Sequence, residues 1–353
     1  MGAQRLKILY AAPLDEKNTS LYRMWALQRL GVLVAHMDTL PYISHGNRLT
    51  QAVRGRIIAG PTVQRFNRDL LQMAIEHKVD AVWADKVLYL QPGTLRKLRE
   101  AGIVTIDYTI DNPFGPRRDP GWRVYMKAIP EYDLHVVQRD KNLEDYKSCG
   151  AHNVVKIQTA YEPTANFPPP AGWCDLNRDR EVSFIGTPYD NRAEFLTSLW
   201  SDFGVPVTID GTRVWRKKLD PDALRALYSN DGELFHEEYR EAIWRSKINL
   251  SFITHTNEDE FAHKSFEIVA CGGFLLAERS KGHMDRFKED EEAVFFSSVE
   301  ECARKIRRYL LDVTARERIA SAGQRRAVES GYSNDAQMKI VLEKLQPILN
   351  SVN

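Results

Sequence analysis

The residues best suited to chemistry lie together between Thr254 and Glu278, in the run THTNEDEFAHKSFEIVACGGFLLAE. A strand expected over Lys247–Ile253 delivers the chain into a polar loop, and a helix is expected to begin near Ala262 or His263. The free N–H groups of a first helical turn, together with the helix dipole, form an anion site. His263, Lys264 and Ser265 fall at that turn, supplying a mobile cation and a hydroxyl suited to a diphosphate. Glu267 follows on the same helix face as Lys264. A carboxylate one turn beyond a phosphate cradle is placed to accept hydrogen bonds from ribose hydroxyls, as acidic groups do in nucleotide sites. The plainer alternative is an exposed Lys264–Glu267 ion pair worth a few tenths of a kcal/mol. It leaves the apolar run that follows unexplained. Cys271-Gly272-Gly273 ends the helix and turns the chain into a buried strand.

Other candidates are spread along the chain. Gly186-Thr187-Pro188 ends one expected strand and precedes a helix containing Arg192, so backbone and guanidinium would approach the same phosphate. Gly211, followed by Thr212, ends the next strand, beside the expected base. In the first half, Asp107 and Asp111 lie at and just past the end of a strand over Ile103–Tyr108. Asp111 is the candidate for acceptor contact or base-like work, although Asp-Asn-Pro also forms turns readily. Arg54, Arg56, Arg65 and Arg68 would either steer an anionic acceptor or form a solvated face.

Several chemistries lack their motifs. The chain has no G-x-G-x-x-G, no P-loop, no G-x-S-x-G elbow and no H-E-x-x-H. Asp220-Pro-Asp222 is formally a D-x-D, but its proline and the helix after it favour a turn and an N-cap. His36, His45, His236, His255 and His263 show no metal-ligand spacing, and the four cysteines form no C-x-x-C pair. No metal and no resident cofactor are expected.

Composition sets the outer bounds. In 353 residues, 49 basic side chains against 48 acidic ones give a net charge of +1, so no global pull toward nucleic acid or an anionic membrane exists. No apolar run approaches the ~18–20 residues that cross a bilayer. A cytoplasmic location is expected, with room for peripheral association at the inner face of a membrane.

The elements that must position these residues alternate regularly. Short apolar runs over Leu6–Ala12, Val32–Met37, Asp80–Ala84, Ile103–Tyr108, Leu134–Gln138 and Val154–Gln158 read as strands, with helices over Thr19–Leu30, Pro61–His77 and Pro92–Ala101. The alternation restarts with strands over Glu181–Ile185, Val205–Asp210, Lys247–Ile253, Phe274–Ala277 and Ala293–Phe296. The expected architecture is α/β, with two doubly wound Rossmann-like domains facing across a cleft. An acceptor domain would span 1–166, a proline-rich linker 167–172 and a donor domain 173–330. A last helix within 331–353 would pack back on the first domain.

The run Lys264-Ser265-Phe266-Glu267-Ile268-Val269-Ala270-Cys271-Gly272-Gly273-Phe274-Leu275-Leu276-Ala277-Glu278 resembles the donor site of group 1 glycosyltransferases of the GT-B fold, especially the spore-maturation protein B-like branch. The similarity extends through Phe287-Lys288, Glu292, Phe295, Glu300 and Ile306 to Arg318-Ile319-Ala320 and Gly323. Upstream it takes in Val182–Gly186, Arg192, Ile110–Pro113 and Gly150–Val154. The resemblance implies transfer of a sugar from a nucleotide-diphosphate sugar, UDP-linked, to an unidentified acceptor, with retention and without a metal. Group 1 enzymes carry two glutamates separated by seven residues; counting back from Glu267 gives Asp259 at the first position, where a sugar contact is implied. The shorter acid keeps open a catalytically degenerate nucleotide-binding scaffold, and the two-domain architecture keeps open a nucleotide-sugar epimerase.

Overall fold

A computed structural model describes residues 5–43, 58–116, 121–229 and 232–352. The chain forms two compact units, one of Met1–Gln158 with Asn334–Asn353, the other of Thr159–Ser333. In the first, strands β1 (Lys7–Ala12), β2 (Leu33–Asp38), β3 (Ala81–Asp85), β4 (Val104–Tyr108), β5 (Leu134–Val137) and β6 (Val154–Lys156) make one sheet in the order β2-β1-β3-β4-β5-β6. In the second, β7 (Arg180–Ile185), β8 (Val207–Asp210), β9 (Ser246–Ser251), β10 (Leu275–Glu278) and β11 (Val294–Phe296) pair as β11-β10-β9-β7-β8. Every pairing is parallel.

Parallel sheets are covered by helices on both faces, which is why their strands read as continuous apolar runs. Val182, Phe184, Val207, Ile209, Ile248 and Leu250 meet Leu196, Leu199, Ile306 and Tyr309 on one face of the second sheet. Ile185, Leu275, Ala277 and Phe295 meet Tyr239, Ile243, Phe266 and Val269 on the other. Each sheet has one place where strand order reverses, at β1 between β2 and β3, and at β7 between β8 and β9. There the flanking loops leave in opposite directions, and the carboxyl ends of the strands border a crevice.

Two findings differ from the sequence reading. Phe167–Gly172 lies inside the second unit, which begins at Thr159, not between the units. Packing explains it: Trp244 Nε1 donates to Phe167 O at 3.0 Å, the Arg240 guanidinium sits 4.1 Å over the Phe167 ring, and Pro168 and Pro169 lie against Gly272. The chain crosses back at Ser333, which bridges to Tyr161, so the outgoing and returning segments run side by side. The last helix, Asn334–Val352, belongs to the first unit, where Met338, Val341, Leu345 and Leu349 enter the core. Helices at Trp122–Ala128 and Asp140–Ser148 also escape the sequence reading. The first is only seven residues long, so its buried stripe of Trp122, Tyr125 and Ala128 spans too few turns to stand out, and the second buries only Asn142 and Tyr146.

Candidate nucleotide site

The carboxyl ends of β7 and β8 touch through glycine. Gly186 N–H donates to Asp210 O at 2.9 Å, and its carbonyl accepts Trp215 Nε1 at 2.8 Å. A Cβ at Gly211, where φ is +156°, would stand 2.0 Å from Gly186 O. Gly211 is therefore needed for this backbone approach, whatever else it borders. A Cβ at Gly186 would lie 3.7 Å from Lys264 Cε, so the lysine of the first helical turn does reach the end of β7.

That helix runs from His263 to Ala270, with Ala262 as an extended N-cap. Glu267 is nearly buried, its side chain 8% exposed, yet both oxygens have partners. Tyr239 OH donates to Oε2 at 2.7 Å, and His263 Nε2 faces Oε1 at 3.1 Å. Burial alone would push this carboxyl up; His263, Lys264 and Tyr239 outweigh it and bring it down to about 2. The Glu267 carboxylate accepts from His263 Nε2–H, and His263 Nδ1 touches the Thr159 hydroxyl on the other side of the ring. Lys264 Nζ stands 3.9 Å from Glu267 Oε2 and 4.3 Å above the Tyr239 ring. More than a third of its side chain reaches solvent, while crowding by the surrounding protein lowers its pKa against the raising effect of Glu267.

Two expected phosphate ligands are engaged elsewhere. The Ser265 hydroxyl is fully buried, donating to Ser251 Oγ at 2.9 Å and lying 2.9 Å from His283 Nε2, and Ser265 N–H donates to Ala262 O. It fixes the helix to β9 instead of facing an anion. Arg192 is buried, and its guanidinium donates to Thr187 O at 3.1 Å, Phe252 O at 3.2 Å, Ile253 O at 3.0 Å and Thr254 Oγ1 at 3.0 Å. It buckles the loops after β7 and β9 together. Thr187 thus contributes its carbonyl to this buckle.

Asp259 lies in the loop between β9 and the site helix, where its N–H donates to Thr254 O and its Oδ1 accepts Asn257 Nδ2 at 2.9 Å. A short segment absent from the sequence reading supports this loop. Ser280 Oγ donates to Glu260 O at 2.7 Å, His283 Nε2 accepts Ala262 N–H at 3.2 Å, and Gly282 packs where a Cβ would meet Glu260 O at 2.2 Å. His283 Nδ1–H donates to Glu278 O at 2.8 Å, which makes the ring neutral. A serine, glycine and histidine within five residues of the end of a strand were the available signal. Tyr239 and Thr159 gave none, because only the tertiary fold brings Tyr239 to Glu267 and Thr159 to His263.

In the first unit, Asp111 pairs with Lys86 Nζ at 2.8 Å, both side chains partly exposed. Asp107 is buried, accepting from Tyr125 OH and lying 2.8 Å from His135 Nδ1, so it braces the sheet end and does not face a ligand. Asp85, at the end of β3, binds Arg23 at 2.6 and 2.9 Å in the same buried layer. Arg65 stacks over Tyr42, and Arg68 pairs with Asp69 at the surface. Arg54, Arg56 and His45 lie outside the described residues. Asp220 caps the next helix, accepting from Asp222 N–H and Ala223 N–H at 2.9 Å each. Among the described residues, no three His, Cys, Asp or Glu side chains group as a metal site, and no helix is long and apolar enough to cross a membrane.

Residues 191–343 match the family described as glycosyl transferase-like. Among solved structures, the sucrose-phosphate synthase of Thermosynechococcus elongatus is similar over 98% of this chain and 100% of its own, with a TM-score of 0.69 at 13% identity. Anabaena Alr3699/HepE, in complex with UDP-glucose, is similar over 97% and 100%, with a TM-score of 0.67 at 15% identity. The α,α-trehalose 6-phosphate synthase of Burkholderia multivorans is similar over 99% and 100%, with a TM-score of 0.64 at 12% identity. No curated protein matches the sequence. The chain has the GT-B fold, and the stretch similar to glycosyl transferase-like proteins covers most of its second unit and the start of its last helix.

Proposed function

We propose that the chain is a glycosyltransferase that moves a sugar from a uridine-diphosphate sugar to an acceptor bound by the first unit. The observation that carries this reading is the placing of Lys264 beside Gly186, with ionised Glu267 one turn further along the helix, at the strand-order reversal of the second sheet. Complexes of Alr3699/HepE with UDP and with UDP-glucose support uridine as the nucleoside. The run from Lys264 to Glu278 supports the spore-maturation protein B-like branch.

In this reading Lys264 and the amides of His263 and Lys264 face the diphosphate, and the remaining lone pairs of Glu267 accept from the ribose hydroxyls. The bond from C1 of the sugar to the diphosphate oxygen breaks through an oxocarbenium-like state while the acceptor oxygen bonds to C1. The charge that develops on the leaving diphosphate is met by these preset donors, without a metal among them. The acceptor proton passes to the departing phosphate oxygen on the same face, so configuration is retained. Asp259 contacts the transferred sugar, and Asp111, held by Lys86, contacts the acceptor.

Calorimetry with UDP, GDP, TDP and ADP, and assays of sugar release from the UDP-hexoses, test the assignment. Lys264→Ala and Glu267→Ala are each expected to weaken UDP binding by about 10-fold or more, the loss of a hydrogen bond to a charged group, and to abolish sugar release. Wild-type affinity and rate in both variants would refute it. Tight nucleotide binding without sugar release from any donor would assign the chain as a nucleotide-binding scaffold instead.

A further inference from the structure

Resting on the nucleotide-site reading above, we propose that Tyr239 is a positioning residue that holds Lys264 and Glu267 apart, so that both charges face the ligand and not each other. Tyr239 projects from the helix His236–Trp244 and is largely buried. One side chain touches both members of the pair: its hydroxyl donates to Glu267 Oε2 at 2.7 Å, and its ring face lies 4.3 Å from Lys264 Nζ.

The ammonium and the carboxylate stand 3.9 Å apart, too far for a hydrogen bond. Lysine has a flexible four-carbon stem and three rotatable donors, and nothing in its own covalent geometry prevents it from closing on a carboxylate three residues away. Tyr239 opposes that closure twice. Its hydroxyl occupies the oxygen nearest the lysine, and its ring offers the ammonium an attractive surface elsewhere. His263, backed by Thr159, holds the other oxygen, so the carboxylate cannot swing to meet the lysine. The remaining charged groups acting on Lys264 are Arg192 and Glu233, neither of which touches Glu267. A closed Lys264–Glu267 bond would neutralise the cation meant for a diphosphate and occupy the acceptor meant for a ribose.

Two variants separate the two contacts. Tyr239→Phe keeps the ring and removes the hydroxyl; Tyr239→Leu removes both. UDP affinity is measured by calorimetry on the full chain, and the Lys264 side-chain resonances are followed by NMR for the ring-current shift its place over an aromatic face produces. The dissociation constant for UDP is expected to rise about 5-fold in Tyr239→Phe and about 20-fold or more in Tyr239→Leu, the loss of one and of two modest interactions. The lysine ring-current shift should persist in Phe and vanish in Leu. Wild-type affinity in both variants, with UDP bound normally by the unaltered chain, overturns the proposal and leaves the nucleotide site standing. Equal weakening in Phe and Leu, with the lysine shift unchanged, overturns the separation of charges by the ring. If Leu fails to fold, wild-type affinity in Phe alone is sufficient to overturn the role of the hydroxyl. If the unaltered chain binds no nucleoside diphosphate, the underlying reading fails and this proposal falls with it.

Discussion

Arg192 donates to three carbonyls and one hydroxyl drawn from two loops, and no other residue type reaches so many acceptors from one fixed plane. Lysine at this position would keep the charge but lose the fork. Arg192→Lys is therefore expected to destabilise the protein by about 2 kcal/mol or more, since several buried acceptors are left without donors. The shift should appear in urea denaturation followed by tryptophan fluorescence, and a midpoint equal to wild type would refute the buckle. The same residue shows the limit of reading a site from residue types. An arginine after a glycine turn fits a phosphate ligand as well as a brace, and only its four partners decide. Lys264 and Glu267 were legible because helical spacing alone places them on one face. Ser265 was misread because the same spacing does not tell which flank of the helix faces β9.

At the scale of elements, the helix carrying the site is seated by the turn at Ser280–His283. The ring of His283 is buried and accepts the Ala262 N–H, and burial lowers its pKa from 6.5 to about 4. Between those values the unfolded chain binds a proton that the folded chain refuses. Stability from this group therefore rises with pH across that window and is lost as pH falls below about 6.5, by about 3 kcal/mol at its full extent. His283→Gln, which does not titrate, should flatten the acid limb of stability between pH 6.5 and 4. Urea midpoints taken across that range in both proteins check it, and parallel limbs would show that His283 is not the group responsible. The strands themselves were legible because sheets covered on both faces write continuous apolar runs into the sequence. The polar helix Asp140–Ser148 was not, since its position is set by tertiary packing with hardly any apolar face to advertise it.

For the whole molecule, the last helix decides whether the first unit is complete. Met338, Val341, Leu345 and Leu349 belong to its core, and removing four such side chains forfeits roughly 6–12 kcal/mol. That is comparable to the whole stability of an ordinary domain. Deleting residues 334–353 should unfold the first unit, seen as lost amide protection across β1 to β6, while β7 to β11 remain protected. Full protection in all strands of the shortened chain would refute this.

Because the chain departs after Gln158 and returns at Asn334, the second unit is in genetic terms an insert within the first. A gene from codon 159 to codon 333 would specify the second unit by two simple cuts. A gene for the other half needs codon 158 ligated to codon 334, and shortening a coding sequence from its 3′ end would damage the amino-terminal half first.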